Sequence, residues 1–139
     1  MLRGEAVTHT HDGQAGLASQ SGNFVSSFLN YARFTGVGIS RAVSAGNAAA
    51  VSVADYLDWY ADDPETNVGL AYLEGVTDGR TLFERLRSIA QRQPLVVLKG
   101  GTTAGGQRAA ASHTGSLATD EAVFEGACAQ ACITRAATV

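Results

Sequence analysis

Val68-Gly69-Leu70-Ala71-Tyr72-Leu73, then a polar segment striped with Leu82, Phe83, Leu86, Ile89 and Ala90, then Leu95-Val96-Val97-Leu98-Lys99: residues 68–99 decide the fold. Two short apolar runs joined by a segment of helical period read as strand, crossover helix and parallel strand. The alternation continues outward in both directions. Upstream lie Ala15 to Ser19, a stripe at Phe24, Val25, Phe28, Leu29 and Ala32, a run from Val37 to Val43, and a stripe at Val53, Tyr56, Leu57 and Tyr60. Downstream, a helix is expected from about Asp120 to Gln130, N-capped by Thr119, with Ala122, Val123, Phe124 and Ala127 on its apolar side. A last strand is expected from Ala131 to Arg135. The pattern predicts an α/β chain, a doubly wound parallel sheet of five strands in the order 2-1-3-4-5 with helices on both faces. Asp63-Pro64 and Gln93-Pro94 mark breaks, because a residue before proline is pushed out of the helical region.

The 139 residues fit one domain, large enough to bury a core without a disulfide or a structural metal. Hydrophobic residues make up 45% and charged residues 17%, as in an ordinary globular protein. A formal charge of -3 gives no electrostatic reason to expect nucleic acid or an anionic membrane as partner. No apolar run is long enough to span a bilayer, and no secretory pattern opens the chain, so the expected compartment is the cytoplasm. Cys128 and Cys132, separated by three residues, have no second pair and no nearby histidine to complete a zinc site. Both are expected to be small, reduced, buried residues. Residues 1–14 are polar and without period, and read as a disordered leader or linker even though His9 and His11 form an H-x-H pair. Residues 15–139 form the domain, and no metal site is expected.

In a sheet of this order, ligands bind beyond the carboxyl ends of the strands, where the order switches. Strands one, three and four are neighbours about 4.8 Å apart, so the loops that follow them come within side-chain reach of one point. The first loop is Ser19-Gln20-Ser21-Gly22, which opens a helix whose first N–H groups lack intrahelical partners. It can cradle a phosphate, or Ser21 can simply cap the helix. The second holds Glu74, a carboxylate directly after an apolar strand, where it either faces solvent or pairs with a neighbour. The third runs from Gly100 through Gly101, Gly105, Gly106 and Arg108 to Ser112-His113-Thr114-Gly115. Its glycines permit a mobile or tightly turned segment, and Arg108 is either a phosphate contact or a solvated charge. The glycine run is not a Walker loop, since Gln107 and Arg108 stand where lysine and serine or threonine are needed.

Of the three histidines, His113 alone lies in such a loop. A carboxylate that accepts one ring N–H fixes the tautomer, leaves the other nitrogen free as a nucleophile, and stabilises the ring once it is positive. A serine hydrolase is a poor match, because Leu17 and Ser21 occupy the glycine positions of a nucleophile elbow around Ser19.

Ser19-Gln20-Ser21-Gly22, Gly46-Asn47, Asp62-Asp63-Pro64-Glu65-Thr66, Tyr72-Leu73-Glu74-Gly75, Val97-Leu98-Lys99-Gly100 and Ala110-Ala111-Ser112-His113-Thr114-Gly115 together resemble the NDP-forming (ADP-forming) acyl-CoA synthetases, relatives of the succinyl-CoA synthetase alpha subunit. The resemblance runs in order from about Gly16 to Arg135. It implies the second, flavodoxin-like CoA-ligase domain of that family. By it, His113 carries a phosphoryl group between acyl phosphate and ADP, as a covalent phosphohistidine, and Glu74 orients it. Ser19, Gln20, Ser21 and Gly22 receive the phosphate. The mobile histidine loop comprises Gly100, Gly101, Gly105, Gly106, Arg108, Ser112, Thr114 and Gly115.

The resemblance also implies partners: a Rossmann-type CoA-binding domain, an ATP-grasp domain or subunit, a small carboxylic acid substrate, and an oligomeric assembly. CoA, ATP or ADP and magnesium would be held mainly by those other parts. Ala48-Ala49-Ala50 replaces the aspartate that many family members carry after the Gly-Asn pair. Ser26 stands where the succinate-specific subunits have tyrosine, and Ser112-His113-Thr114 replaces their Gly-His-Ala, so the pattern sits closer to acetate, aryl-acetate or other acyl-CoA ligases. The alternative is a non-catalytic ligand-binding or regulatory module, as in relatives fused to an acyltransferase, against which the retention of His113 and Glu74 argues.

Overall fold

The computed structural model describes residues 13–46, 51–100 and 120–137. The described chain runs β1 (Ala15–Ser19), α1 (Gly22–Thr35), β2 (Ile39–Ser44), α2 (Val53–Tyr60), β3 (Val68–Leu73), α3 (Gly79–Ala90), β4 (Leu95–Lys99), α4 (Glu121–Gln130) and β5 (Thr134–Ala136). All strand pairs are parallel and the order is β2-β1-β3-β4-β5, as the sequence predicts.

Helices cover both faces, and the period of two along β3 shows how. Gly69, Ala71 and Leu73 are buried, while Val68, Leu70 and Tyr72 are half-buried. Ala71 and Leu73 join Leu57, Ile89, Val97 and Phe124 in the larger core, to which α2, α3 and α4 all contribute. Val68 and Leu70 turn the other way, onto Val25, Phe28, Leu29 and Ala32 of α1. β1 is buried at all five positions, because it lies between β2 and β3 with helices on either side. Apolar burial on both faces is what lets the strands read as near-continuous apolar runs.

Two strands begin later than the sequence suggests, for one reason. Gly36, at φ 78°, caps α1, and the Val37 N–H bonds back to Ala32 O at 3.1 Å. Val37 therefore closes the helix, and β2 starts at Ile39 rather than Val37. At α4, Cys132 takes the same left-handed conformation at φ 57°, and the Ile133 N–H bonds to Cys128 O at 2.9 Å. β5 thus starts at Thr134 rather than Ala131 and extends to Ala136. Cys132 is exposed, contrary to expectation, whereas Cys128 is buried.

The N-cap of α4 is Asp120, whose Oδ1 accepts from Ala122 N at 2.9 Å and Val123 N at 3.3 Å, in place of the expected Thr119, which lies outside the described residues. The face of α4 is shifted too. Phe124 and Cys128, four residues apart, are buried, while Val123 is 65% exposed. Gln14, assigned to the leader, is tied to the start of β3: its carbonyl accepts from Asn67 N at 2.7 Å and Val68 N at 3.2 Å.

Candidate functional site

The hydrogen-bond ladders bring the tips of β1, β3 and β4 together. Ser19 is the register partner of Tyr72, and Leu73 of Lys99. Each ladder runs one step past its strand: Gln20 N donates to Tyr72 O at 3.0 Å, and Gly100 N donates to Leu73 O at 2.7 Å. Backbone geometry thus brings together the roots of the three loops, at Gln20, Glu74 and Gly100.

At the first loop, Ser19 is fully buried and serves the turn itself. Its Oγ accepts from Ser21 N and donates to Ser21 O, both at 2.9 Å, so its hydroxyl proton is committed within the loop. Ser21 is the N-cap of α1, its Oγ accepting from Phe24 N at 3.3 Å. The capping reading of Ser21 holds. The N–H groups of Gly22 and Asn23 and the hydroxyl proton of Ser21 have no partner among the described residues, which leaves three donors at a helix start, the arrangement an anionic oxygen fits.

At the second loop Glu74 is half-buried, and its carboxylate has no hydrogen-bond or ion-pair partner among the described residues. The Gln20 side chain grips its backbone instead: Oε1 accepts from Glu74 N at 2.6 Å and Gly75 N at 3.0 Å, and Nε2 donates to Gly75 O at 3.1 Å. The Tyr72 ring is stacked on Phe24 of α1 at 4.1 Å between centroids, and burial, then the charge of Glu74, raises its phenol pKa.

At the third loop Gly100 lies against both. A Cβ there would stand 2.5 Å from Tyr72 Oη and 3.6 Å from Glu74 Cγ. Lys99 just before it is buried, 3.5 Å from Glu121 Oε2 and 5.9 Å from the centre of the Phe124 ring. Burial, with Arg135 nearby, lowers its pKa. Gly101, Gly105, Gly106, Arg108, Ser112, His113, Thr114 and Gly115 lie outside the described residues, as do His9, His11 and the Ala48-Ala49-Ala50 segment.

Beside Glu74 opens a cavity of about 350 Å³, lined among others by Gln20, Gly46, Ser52, Asp78 and Arg85. Ser52 caps α2 in a capping box with Asp55, and Arg85 of α3 reaches across to Asp55 Oδ1 at 2.7 Å. Arg85 was not foreseen, since within the stripe of α3 it reads as a surface charge. Among the described residues no group of three or more His, Cys, Asp or Glu could hold a metal ion.

The Asp62-Asp63-Pro64-Glu65-Thr66 motif lies elsewhere, in the turn that leads into β3 at its amino end. There Asp63 accepts from Thr66 Oγ1 at 2.8 Å and sits 3.3 Å from Arg41 Nε, and the buried Gln93 donates to Thr66 O at 2.8 Å. These contacts lock the turn and do not reach the site.

Residues 12–139 match the family model described as the succinyl-CoA ligase like flavodoxin domain. The chain is 41% identical over 127 residues to an ADP-forming acetate–CoA ligase I of Archaeoglobus fulgidus, covering 91% of this chain and 18% of that protein. It is 39% identical over 127 residues to the alpha subunit of an ADP-forming acetate–CoA ligase I of Pyrococcus furiosus, covering 91% of this chain and 28% of that protein. Among solved structures, the dinucleotide forming acetyl-coenzyme A synthetase 1 of Ca. Korarchaeum cryptofilum, in complex with phosphate and ADP, superposes with a TM-score of 0.85 at 38% identity, covering 94% of this chain and 29% of that one. The chain thus spans less than a third of the length of these relatives.

Proposed function

We propose a function from the premise that this chain belongs to the succinyl-CoA ligase like flavodoxin domain family: it is the phosphohistidine-bearing domain of an ADP-forming acyl-CoA synthetase. The observation that carries the reading is the junction of β1, β3 and β4, where Glu74, whose carboxylate has no partner among the described residues, stands between a helix start with three donors unpaired among the described residues and the root of the loop that leads to His113.

In this reading one ring nitrogen of His113 attacks the phosphorus of an acyl phosphate, the P–O bond to the acyl group breaks, and the carboxylate leaves. The ring N–H on the other side is held by Glu74, which offsets the positive charge the ring acquires. The N–H groups of Gly22 and Asn23 and the Ser21 hydroxyl receive the phosphoryl oxygens. ADP, bound on an ATP-grasp partner with magnesium, then takes the phosphoryl group. CoA is held by a Rossmann-type domain, and the acid is a small carboxylic acid. Among the described residues no helix is long and apolar enough to cross a membrane. A cytoplasmic setting accords with the free thiols of Cys128 and Cys132.

The test uses the enzyme that contains this domain together with its CoA- and nucleotide-binding parts. Incubation with phosphoryl-labelled ATP and magnesium should give an acid-labile, base-stable label that His113→Ala abolishes. A label at full level in that variant would remove His113 from the reaction. Glu74→Gln should fold normally and slow labelling, whereas a regulatory module would show altered ligand affinity with turnover retained.

A further inference from the structure

The side-chain amide of Gln20 makes three hydrogen bonds to the backbone of Glu74 and Gly75, two of them to the peptide groups that flank Glu74, whose carboxylate the proposed mechanism relies on. The backbone of Gln20 is pinned first, its N–H donating to Tyr72 O at 3.0 Å, one step past the end of β1. From there the side chain turns across the tip of β3. Oε1 takes the N–H groups of Glu74 and Gly75, at 2.6 and 3.0 Å, and Nε2 gives a proton to Gly75 O at 3.1 Å.

The two N–H groups lie on either side of the Glu74 Cα, so together they fix the orientation of both peptide planes that flank it. With the planes fixed, the direction in which the Glu74 side chain leaves the backbone is fixed as well. The bonds demand a head that accepts twice and donates once at this reach. Glutamine supplies it; asparagine is a methylene shorter, glutamate has no donor, and lysine and arginine have no acceptor. The acceptor oxygen of Gln20 is spent on Glu74 and Gly75, which leaves one Nε2 proton as all that the side chain could offer a phosphate.

We infer that Gln20 is a positioning residue for Glu74: it acts on the histidine chemistry through the carboxylate it aims, and not by holding the phosphoryl group. The inference rests on the reading of Glu74 as the partner of His113. A misplaced reacting group costs on the order of 100-fold in rate, so a loosened clamp should be visible in the phosphorylation step.

The experiment is a double-variant cycle in the complete enzyme, reading the rate at which His113 takes label from ATP. Gln20→Ala alone should slow labelling by about 10- to 100-fold, with KM for ATP little changed. Placed on Glu74→Gln, the same substitution should cost less than about twofold, because the carboxylate it serves is already gone. Amide hydrogen exchange at Glu74 and Gly75 should quicken in Gln20→Ala. Gln20→Asn keeps the amide but falls a methylene short of Glu74 and Gly75, so the cycle can be run on it if the alanine variant fails to fold. Multiplicative losses in the double variant, or unchanged exchange at both amides, would overturn the inference. A wild-type enzyme that takes no label at His113 would instead overturn the functional reading.

Discussion

Phe24 on the first turn of α1 and Tyr72 at the end of β3 lie ring on ring, 4.1 Å apart at 13° between planes, which packs the helix start against the strand that leads to Glu74. Phe28 extends the stack at 5.9 Å from Phe24. Stacked pairs contribute roughly 0.5–1.5 kcal/mol beyond the area they bury. Phe24→Ala should therefore lower stability by about 1–2 kcal/mol, and Phe24→Leu by less, measured by urea denaturation.

Gly100 has no room for a side chain, since an added Cβ would meet Tyr72 Oη at 2.5 Å and Cζ at 3.0 Å. The ring cannot swing aside without leaving Phe24. Gly100→Ala should cost about 1–3 kcal/mol, and combining it with Tyr72→Phe should recover part of the loss, since the nearer of the two clashing atoms is then absent. Equal stability of the single and double variants would place the strain elsewhere.

β1, β3 and β4 were legible in the sequence to the residue, because each is an apolar run buried on both faces and bounded by polar or glycine signals. β2 and β5 were read two and three residues early because Val37 and Ile133 are apolar and continue the strand pattern, although their N–H groups close helices. Glycine announces the first closure, while cysteine at position 132 hides the second. At the site, the meeting of the loop roots at Gln20, Glu74 and Gly100 followed from strand order alone. The inward turn of Ser19 and the grip of Gln20 on Glu74 did not, because they depend on rotamers that no spacing rule encodes.

Cys132 stands at φ 57°, a conformation that costs a non-glycine residue roughly 1–2 kcal/mol. Cys132→Gly relieves it and gives up some of the gain through the freer unfolded chain. A net stabilisation of about 0.5–1 kcal/mol is expected in thermal or chemical unfolding, without change in labelling of His113.

The Asp55 carboxyl is held down from 3.8 to about 2 by the Ser52 N–H, then the Ser52 hydroxyl, then Arg85. A depressed carboxyl stabilises the fold in full above its unfolded value of about 3.9 and loses that contribution as pH falls through the folded value. Stability should thus decline between about pH 4 and pH 2, and Asp55→Asn should flatten that part of the curve. Asp55 is 42% exposed and solvent screens it, so the effect should stay below about 1 kcal/mol.

Thr66, 4% exposed, donates to Asp63 Oδ2 at 2.8 Å and shares a 2.7 Å hydrogen bond with Ser40. Thr66→Val keeps the shape and removes one hydrogen bond from each partner, which should cost about 1–3 kcal/mol, although Asp63 keeps Arg41 and Ser40 keeps Ala15 O. The rate of His113 labelling at a temperature where the variant is folded should stay at the wild-type value, since the turn and Glu74 sit at opposite ends of β3.

The peptide ladders joining β1, β3 and β4 act as a ruler for the reactive corner, with spacing dictated by main-chain atoms common to every sequence. Substitutions among the side chains around that corner can therefore accumulate while the gauge between Ser19, Tyr72, Leu73 and Lys99 stays constant.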